Sequence, residues 1–360
     1  MPPKQQAPQR QPPQPPQRIR TWPAILTLFW LSPIIAEVMS GSTPPLAFLS
    51  PFSLIVLPTF YGSGALLVRE IVRRRGWGWP NIVVLGMAYG ILEEGIQVQT
   101  WFNSSPVSPS ASYHHYGELF SINWLWAINL TMYHAVISIT IPIILTEALF
   151  PRVAARPWLR RRGIVGFSLL LALNTVLVGL LAGFVFSAKV GYAHPPLLPF
   201  IFTLGLLVDV FMIGSTVHIS LARMLPVAPG KRRAPHLWTV RIVMFLLATS
   251  LFLLTPLFGG LRVPGWIAAL IILSGYEFAI LRVYTWSQRP GWNERHLIAL
   301  AIGILCFFIF IFAPILEFAD HNRVDIGLVP FDLVLLALLI ALAWRAPRRV
   351  LATALPDIPL

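Results

Sequence analysis

Residues 86–103 read GMAYGILEEGIQVQTWFN, and residues 131–151 read TMYHAVISITIPIILTEALFP. Both runs are apolar enough to cross a membrane, but the first contains two adjacent acids, Glu93 and Glu94, and the second contains His134. A charged side chain at the bilayer centre costs about 2.5–3.5 kcal/mol on insertion scales. Ionisable residues in membrane segments are functional hypotheses by default, so these three are the first candidates for a catalytic site.

The composition of the whole chain is that of a membrane protein. The 360 residues are 56% hydrophobic and 11% charged, with a mean hydropathy of +0.71, whereas soluble domains are roughly 25% charged. The single cysteine, Cys306, lies inside an apolar run, which excludes disulfides within the chain and cysteine-based zinc sites. No cofactor and no metal are predicted.

Apolar runs of about 20 residues, the length of one membrane crossing, recur ten times. The sequence therefore predicts an all-α, polytopic membrane bundle occupying residues 21–346. Residues 1–20 are rich in Pro, Gln and Arg and are predicted to be a disordered tail, and residues 347–360 a C-terminal tail. The predicted helices lie near residues 21–38, 52–69, 81–101, 122–150, 163–187, 196–222, 239–258, 265–285, 296–317 and 328–346.

The distribution of basic residues tests this count. If the N-terminus is cytoplasmic, all 27 Lys and Arg residues except Lys189, Arg262 and Arg323 lie at the inner side of the ten helices. This asymmetry predicts a multi-pass protein of the cell membrane with both termini cytoplasmic. It also predicts that the basic residues, which give the chain its net charge of +13, contact anionic lipid headgroups of the bilayer and not nucleic acid.

The third predicted helix carries a stripe of residues spaced by three and four, comprising Gly86, Gly90, Glu94 and Gln97. The glycines allow a neighbouring helix to approach closely, which places Glu94 in a seam between helices. Glu93 lies 100° further round the helix. We therefore expect one acid to serve the site and the other to meet a backbone or hydroxyl partner.

The fourth predicted helix presents Thr131, His134 and Ser138 on one face. Pro142 cannot donate to the carbonyl of Ser138, so this helix is expected to kink or widen and leave an acceptor free. At about 1.5 Å per residue, His134 lies at the depth of the two acids of the third helix. The histidine and the acids can therefore meet.

Other polar residues are assigned supporting or peripheral roles. Gln97 and Ser138, together with Asp209 and Glu277 at similar depth on the sixth and eighth helices, are predicted to support the site or relay protons.

Glu37 is placed at the outer end of the first helix, within reach of water, and Glu147 is expected to pair with a loop arginine. The outer loop, 102–121, is read as surface, with a lid as the alternative. One further polar group is interpreted as a solvated helix end in preference to a metal site: Glu317, Asp320, His321 and Asp325.

An acid pair on one membrane helix and a histidine on the next resembles the CPBP family, which contains CAAX prenyl endopeptidases and bacteriocin-processing proteins. That family shows EExxxR, FxxxH and a third motif, HxxxN or HxxxD. Glu93, Glu94 and His134 match, whereas Val98 replaces the arginine and Leu130 the phenylalanine. The third motif is absent, since the fourth residue after His218 is an alanine.

The resemblance implies a polytopic helical fold and metal-free hydrolysis of a peptide bond in an unidentified membrane substrate. One glutamate would act as general base on water, and His134 would stabilise or protonate the intermediate. Two other classes stay open. The same carboxylates and histidine could form the proton relay of a transporter, or they could be structural in a membrane scaffold that binds a partner.

Overall fold

The computed structural model describes residues 20–103, 115–181, 194–225, 232–318 and 327–345. The two predicted tails lie almost entirely outside the described residues, as do residues 104–114 of the outer loop. Most of the possible lid and three members of the polar group near Glu317 therefore fall outside them too.

Each of the ten predicted segments contains a long helix, which confirms the all-α class. Two short helices, Pro45–Phe48 and Leu221–Met224, and an antiparallel hairpin of β1 (Glu118–Leu119) and β2 (Ile122–Asn123) join them. The long helices are α1 (Trp22–Val38), α2 (Pro51–Arg74), α3 (Trp79–Gly90, continued by Ile91–Gln97), α4 (Trp124–Leu149), α5 (Arg161–Leu181), α6 (Leu197–Thr216), α7 (Leu237–Gly260), α8 (Gly265–Ser287), α9 (Glu294–Phe307, continued to Ala313–Phe318) and α10 (Leu328–Arg345).

Eight of these helices are long and apolar enough to cross a membrane by length and composition: α2 and α4 to α10. Helix α1 is apolar but has only 17 residues, and α3, which carries the two acids, is outside the group of eight. Helix α6 ends before its predicted boundary because Asn81 of α3 binds its C-terminal backbone. The Asn81 amide donates to the carbonyls of Gly214 (3.0 Å) and Val217 (2.7 Å).

Helix α4 is the central helix of the bundle. Within its most apolar window, 78% of the residues are buried, against 6% in α5 and 11% in α8. Apolar clusters join α4 to α1, α2 and α3 on one side and to α1 and α9 on the other. Polar residues of α3 and α4 therefore lie in the protein interior, whereas α5, α6 and α8 expose large apolar side chains as lipid-facing helices do.

The predicted glycine seam is confirmed. A methyl group added at Gly86 would lie 2.8 Å from the Cα of Ala135, and one at Gly90 would lie 3.0 Å from the Cα of Thr131. Both contacts are with the backbone of α4, so neither could be relieved by a side-chain rotation. The two glycines thus bring α3 and α4 into close contact at the level of His134.

A buried ionic cluster joins the C-terminal ends of α2 and α4. Arg69 is fully buried, stacks 3.3 Å from the ring centre of Trp158 and donates to Glu147 at 3.0 Å. Arg73 binds both carboxylate oxygens of Glu147, at 2.9 and 2.8 Å. Glu147 thus pairs with Arg73, an arginine of the predicted loop, and with Arg69, the last residue of the predicted helix; both lie on α2 because this helix extends to Arg74.

The glycine seam leads to a stability prediction. Gly86→Ala should lower the free energy of unfolding in mixed micelles by about 1–3 kcal/mol, because the new methyl overlaps the α4 backbone. Gly166→Ala on α5 is the matched control, since nothing lies within 4 Å of its added methyl. It should be neutral or raise stability by about 0.5–1 kcal/mol. Equal effects of the two substitutions would contradict the seam.

Candidate functional site

Four widened π-helical turns surround one point in the core. They occur in α1, α2, α3 and α4, and each carries a polar residue that joins the same hydrogen-bonded cluster. Single π turns inside α-helices are frequent at functional sites. The turns are Ile34–Val38 with Glu37, Pro58–Gly62 with Tyr61, Ile91–Gln97 with Glu93 and Glu94, and His134–Thr140 with His134 and Ser138.

The turn in α4 arises as its proline predicts. Pro142 has no N–H to donate to the carbonyl of Ser138. That carbonyl instead accepts a hydrogen bond from the hydroxyl of Ser32 on α1, at 2.7 Å. The expected widening and free acceptor are both present, and the acceptor ties α4 to α1 beside the histidine.

His134 lies between the two acids. Its Nε2 is 2.8 Å from Oε1 of Glu94, and its Nδ1 is 3.0 Å from Oε2 of Glu93 and 2.9 Å from the hydroxyl of Ser138. All three ionisable side chains are buried. The expectation that only one acid would face the site is wrong, because a π turn holds more residues than an α turn and brings successive side chains closer in direction.

The cluster continues to residues that sequence reasoning did not include. The hydroxyl of Tyr61 contacts Oε1 of both Glu93 and Glu37, and Thr43 donates to Oε2 of Glu37 at 2.6 Å. On the other side, Thr100 donates to Oε2 of Glu94. The sequence carries a signal for Glu37 and Tyr61. Glu37 follows Pro33 by four positions and Tyr61 follows Pro58 by three, so each lies where a helical proline disturbs the turn.

Three tyrosine rings enclose the histidine. Tyr61 stacks on His134 with ring centres 6.2 Å apart, Tyr89 lies at 6.2 Å, and Tyr133 packs edge-on at 5.0 Å. Tyr133 also donates its hydroxyl to the carbonyl of Ala36. The imidazole is thus fixed in orientation by rings on α2, α3 and α4.

Of the four supporting residues predicted, only Ser138 joins the cluster. Gln97 donates to Asn174 of α5 at 2.7 Å and belongs to a separate polar contact. Asp209 and Glu277 are exposed on the outer helices α6 and α8 and make no hydrogen bond or ion pair within the described part of the chain. Their predicted convergence with the site is wrong because equal depth in the membrane does not fix which face a residue occupies.

Two peripheral residues have separate structural contacts. His218 stacks on Trp77 with ring centres 5.8 Å apart. Glu317 accepts hydrogen bonds from the backbone N–H groups of Gly327 and Val329 and so binds the N-terminus of α10. Neither contact involves the Glu–His cluster.

The cluster brings together two carboxyl groups and an imidazole, which are groups that can exchange protons. One ligand-type atom from each of Glu93, Glu94 and His134 lies within 4.8 Å of the others, a spacing that could accommodate a metal ion. The carboxylates, however, contact opposite nitrogens of the imidazole ring and do not converge on one. This arrangement suits proton transfer between the histidine and either acid.

Polar contacts lead further from the cluster toward one end of the bundle than toward the other. Thr43 and Thr100 follow the ends of α1 and α3, the ends that the basic residues predict to be outer. Toward the opposite end, the contacts stop at Ser138 and Ser32, beyond which α4 buries Ile139, Ile143 and Leu145 before Thr146 and Glu147. The described structure therefore shows polar groups continuing to one side of the cluster and an apolar layer on the other.

An apolar cleft of about 90 Å³ lies on the opposite face of α4 from Glu93 and Glu94. Helices α4, α7, α8 and α9 contribute its walls, which include Met132, Val136, Leu251 and Ile304. Tyr133 lines this cleft and also packs on His134. A single tyrosine thus contacts both the cleft and the cluster.

Comparison with known proteins identifies the family. A model described as an uncharacterized membrane protein family matches residues 26–356. The chain belongs to this family. No curated protein and no solved structure matches the chain. The family match supports a multi-pass membrane protein and extends over all ten helices, but it assigns no activity, and it supports the CPBP resemblance only as far as membership of a membrane protein family.

The paired charges of the site predict a marked dependence of stability on His134. His134→Ala should lower the free energy of unfolding by about 3–5 kcal/mol, because two carboxylates are left buried without their cationic partner. Adding Glu93→Gln and Glu94→Gln to this variant should restore part of the loss. Glu277→Gln, at an exposed position, should cause none. If the triple variant shows the sum of three independent losses, the residues do not form one charged unit.

Proposed function

We propose that the protein is a membrane-embedded hydrolase that cleaves a peptide bond in a membrane segment by metal-free acid–base catalysis. The observation that supports this is the placement of His134 between Glu93 and Glu94, each within 3.0 Å of a different ring nitrogen. The activity is the one that the CPBP resemblance implies. The buried cluster provides the low-polarity setting in which such groups are most effective.

Glu93 is the general base in this proposal. Its Oε2 is buried and lies 3.0 Å from His134 without being aligned for a hydrogen bond. Oε1 and Oε2 of Glu94, by contrast, are both engaged, by His134 and Thr100. Glu93 therefore has an acceptor oxygen available for a proton from water, whereas Glu94 holds the histidine.

The reaction follows from these roles. Glu93 takes a proton from water while the water oxygen bonds to the carbonyl carbon of the peptide. His134, protonated between the two carboxylates, donates a hydrogen bond to the resulting oxyanion. When the carbon–nitrogen bond breaks, His134 gives its proton to the leaving amine and recovers one from Glu93, which returns the site to its starting state.

The orientation of the site is part of the proposal. With both termini in the cytoplasm and the basic loops on anionic headgroups, the polar end of the cluster at Thr43 and Thr100 faces the outer side of the cell membrane. Water would then enter from outside. Cleavage would occur about half-way through the hydrocarbon layer.

Proton-coupled transport is the second candidate, because close polar contacts connect Glu37 through Tyr61, Glu93, His134 and Glu94: hydrogen bonds at every step except the 3.0 Å ion pair between Glu93 and His134. Such a chain is also what a proton relay requires. Uptake into proteoliposomes under an imposed pH gradient separates the two classes. A hydrolase should show no gradient-dependent uptake.

The hydrolase proposal predicts the loss of specific cleavage products. Membranes from cells producing the wild type should contain new peptide termini within membrane segments, and Glu93→Gln or His134→Ala should reduce the rate of their formation by about 10²–10⁴-fold. Mass spectrometry of peptide termini provides the measurement. Glu277→Gln is the control for expression and folding and should retain the wild-type rate, and a metal chelator should not change it.

Three outcomes would contradict the proposal. Products that persist in folded Glu93→Gln/Glu94→Gln/His134→Ala protein would exclude this site as their source. Loss of activity on chelation would show that a metal takes part. If neither cleavage nor gradient-driven uptake responds to the triple variant, the cluster is structural, as in a partner-binding membrane scaffold.

A further inference from the structure

We propose that Glu37, Tyr61 and Glu93 share one extra proton and that Glu37 exchanges it with water at the outer end of α1. The catalytic use of this proton rests on the proposed function, but its presence does not.

Tyr61 places one hydroxyl between two carboxyl groups. Its oxygen lies within hydrogen-bond distance of Oε1 of Glu93 and of Oε1 of Glu37. A phenol has one hydrogen and can donate to only one of them. The other contact is attractive only if that carboxyl carries a hydrogen and donates it to the phenol oxygen, so the three groups hold two protons between them.

The surrounding groups leave this bridge as the place for the extra proton. Oε2 of Glu37 accepts from Thr43, and Oε2 of Glu93 faces His134. The other titratable groups packed around the bridge are Glu94 and the phenols of Tyr89 and Tyr133. Two carboxylates held this close without a proton would repel each other in a region of low polarity.

Glu37 is the member of the bridge that water can reach. Tyr61 is 3% exposed and Glu93 is 5% exposed, whereas Glu37 is only partly buried, in the last turn of α1. A proton on Glu37 can pass to Tyr61 while Tyr61 passes its own to Glu93, which moves charge without moving a heavy atom. In a catalytic cycle, Glu37 and Tyr61 would act as relay residues that set the proton content of Glu93.

Infrared spectroscopy of the purified full-length protein tests the shared proton directly, because a carboxylic acid and a carboxylate have well-separated C=O bands. At neutral pH the wild type should show one acid band that both Glu37→Gln and Glu93→Gln remove. In either variant the new amide donates to Tyr61, and Tyr61 then donates to the remaining carboxylate. Glu277→Gln, the control, should leave this band unchanged.

A Tyr61→Phe background completes the test. There, Glu37→Gln should no longer alter the pH titration of the Glu93 band, because the bridge is missing. Exchange into D₂O should shift the wild-type band without unfolding, since Glu37 reaches water. A band removed by Glu93→Gln but unchanged in Glu37→Gln would overturn the sharing, and a band that resists D₂O would overturn the role of Glu37. These readouts need no turnover, so they stand or fall independently of the hydrolase activity.

Discussion

The cost of burying charge is the constraint on which this structure depends. Glu93 and Glu94 are buried in a bundle of apolar helices, where a lone carboxylate would be strongly destabilising. His134 provides the counter-charge, and it reaches both acids only because α3 and α4 touch at Gly86 and Gly90. The glycine seam is therefore an electrostatic requirement as much as a packing feature, since a wider separation of the helices would part both acids from their counter-charge on His134.

Widened turns are the second part of this solution. An α-helix would direct Glu93 and Glu94 apart, and the π turn brings both to one imidazole. Similar turns in α1 and α2 bring Glu37 and Tyr61 to the same place, so four neighbouring helices depart from regular geometry at one level. Backbone carbonyls released by such turns need donors, and Ser32 supplies one to Ser138.

The sequence predicts the fold well because runs of about 20 apolar residues carry the information for membrane helices. It predicts the meeting of Glu94 with His134 for a similar reason, since the glycine stripe and Pro142 are local signals with direct physical consequences. It fails for Asp209 and Glu277 because the lipid-facing and protein-facing sides of a membrane helix are both apolar, so no periodicity shows which way each acid points. It fails for the direction of Glu93 and for Tyr61 because an α-helical angle was assumed where the chain forms a π turn.

The position of the polar groups bears on the choice between hydrolysis and transport. The C-terminal ends of α2 and α4 are joined by Arg69, Arg73 and Glu147, and buried apolar side chains of α4 separate this clamp from His134. A transporter would have to open that layer in each cycle, which would require the clamped ends of α2 and α4 to move apart. A hydrolase needs water from one side only, and the partly exposed Glu37 lies on the side of the cluster away from the clamp. The ionic clamp at one end and the polar groups at the other therefore support the proposed chemistry at the cluster over passage through it.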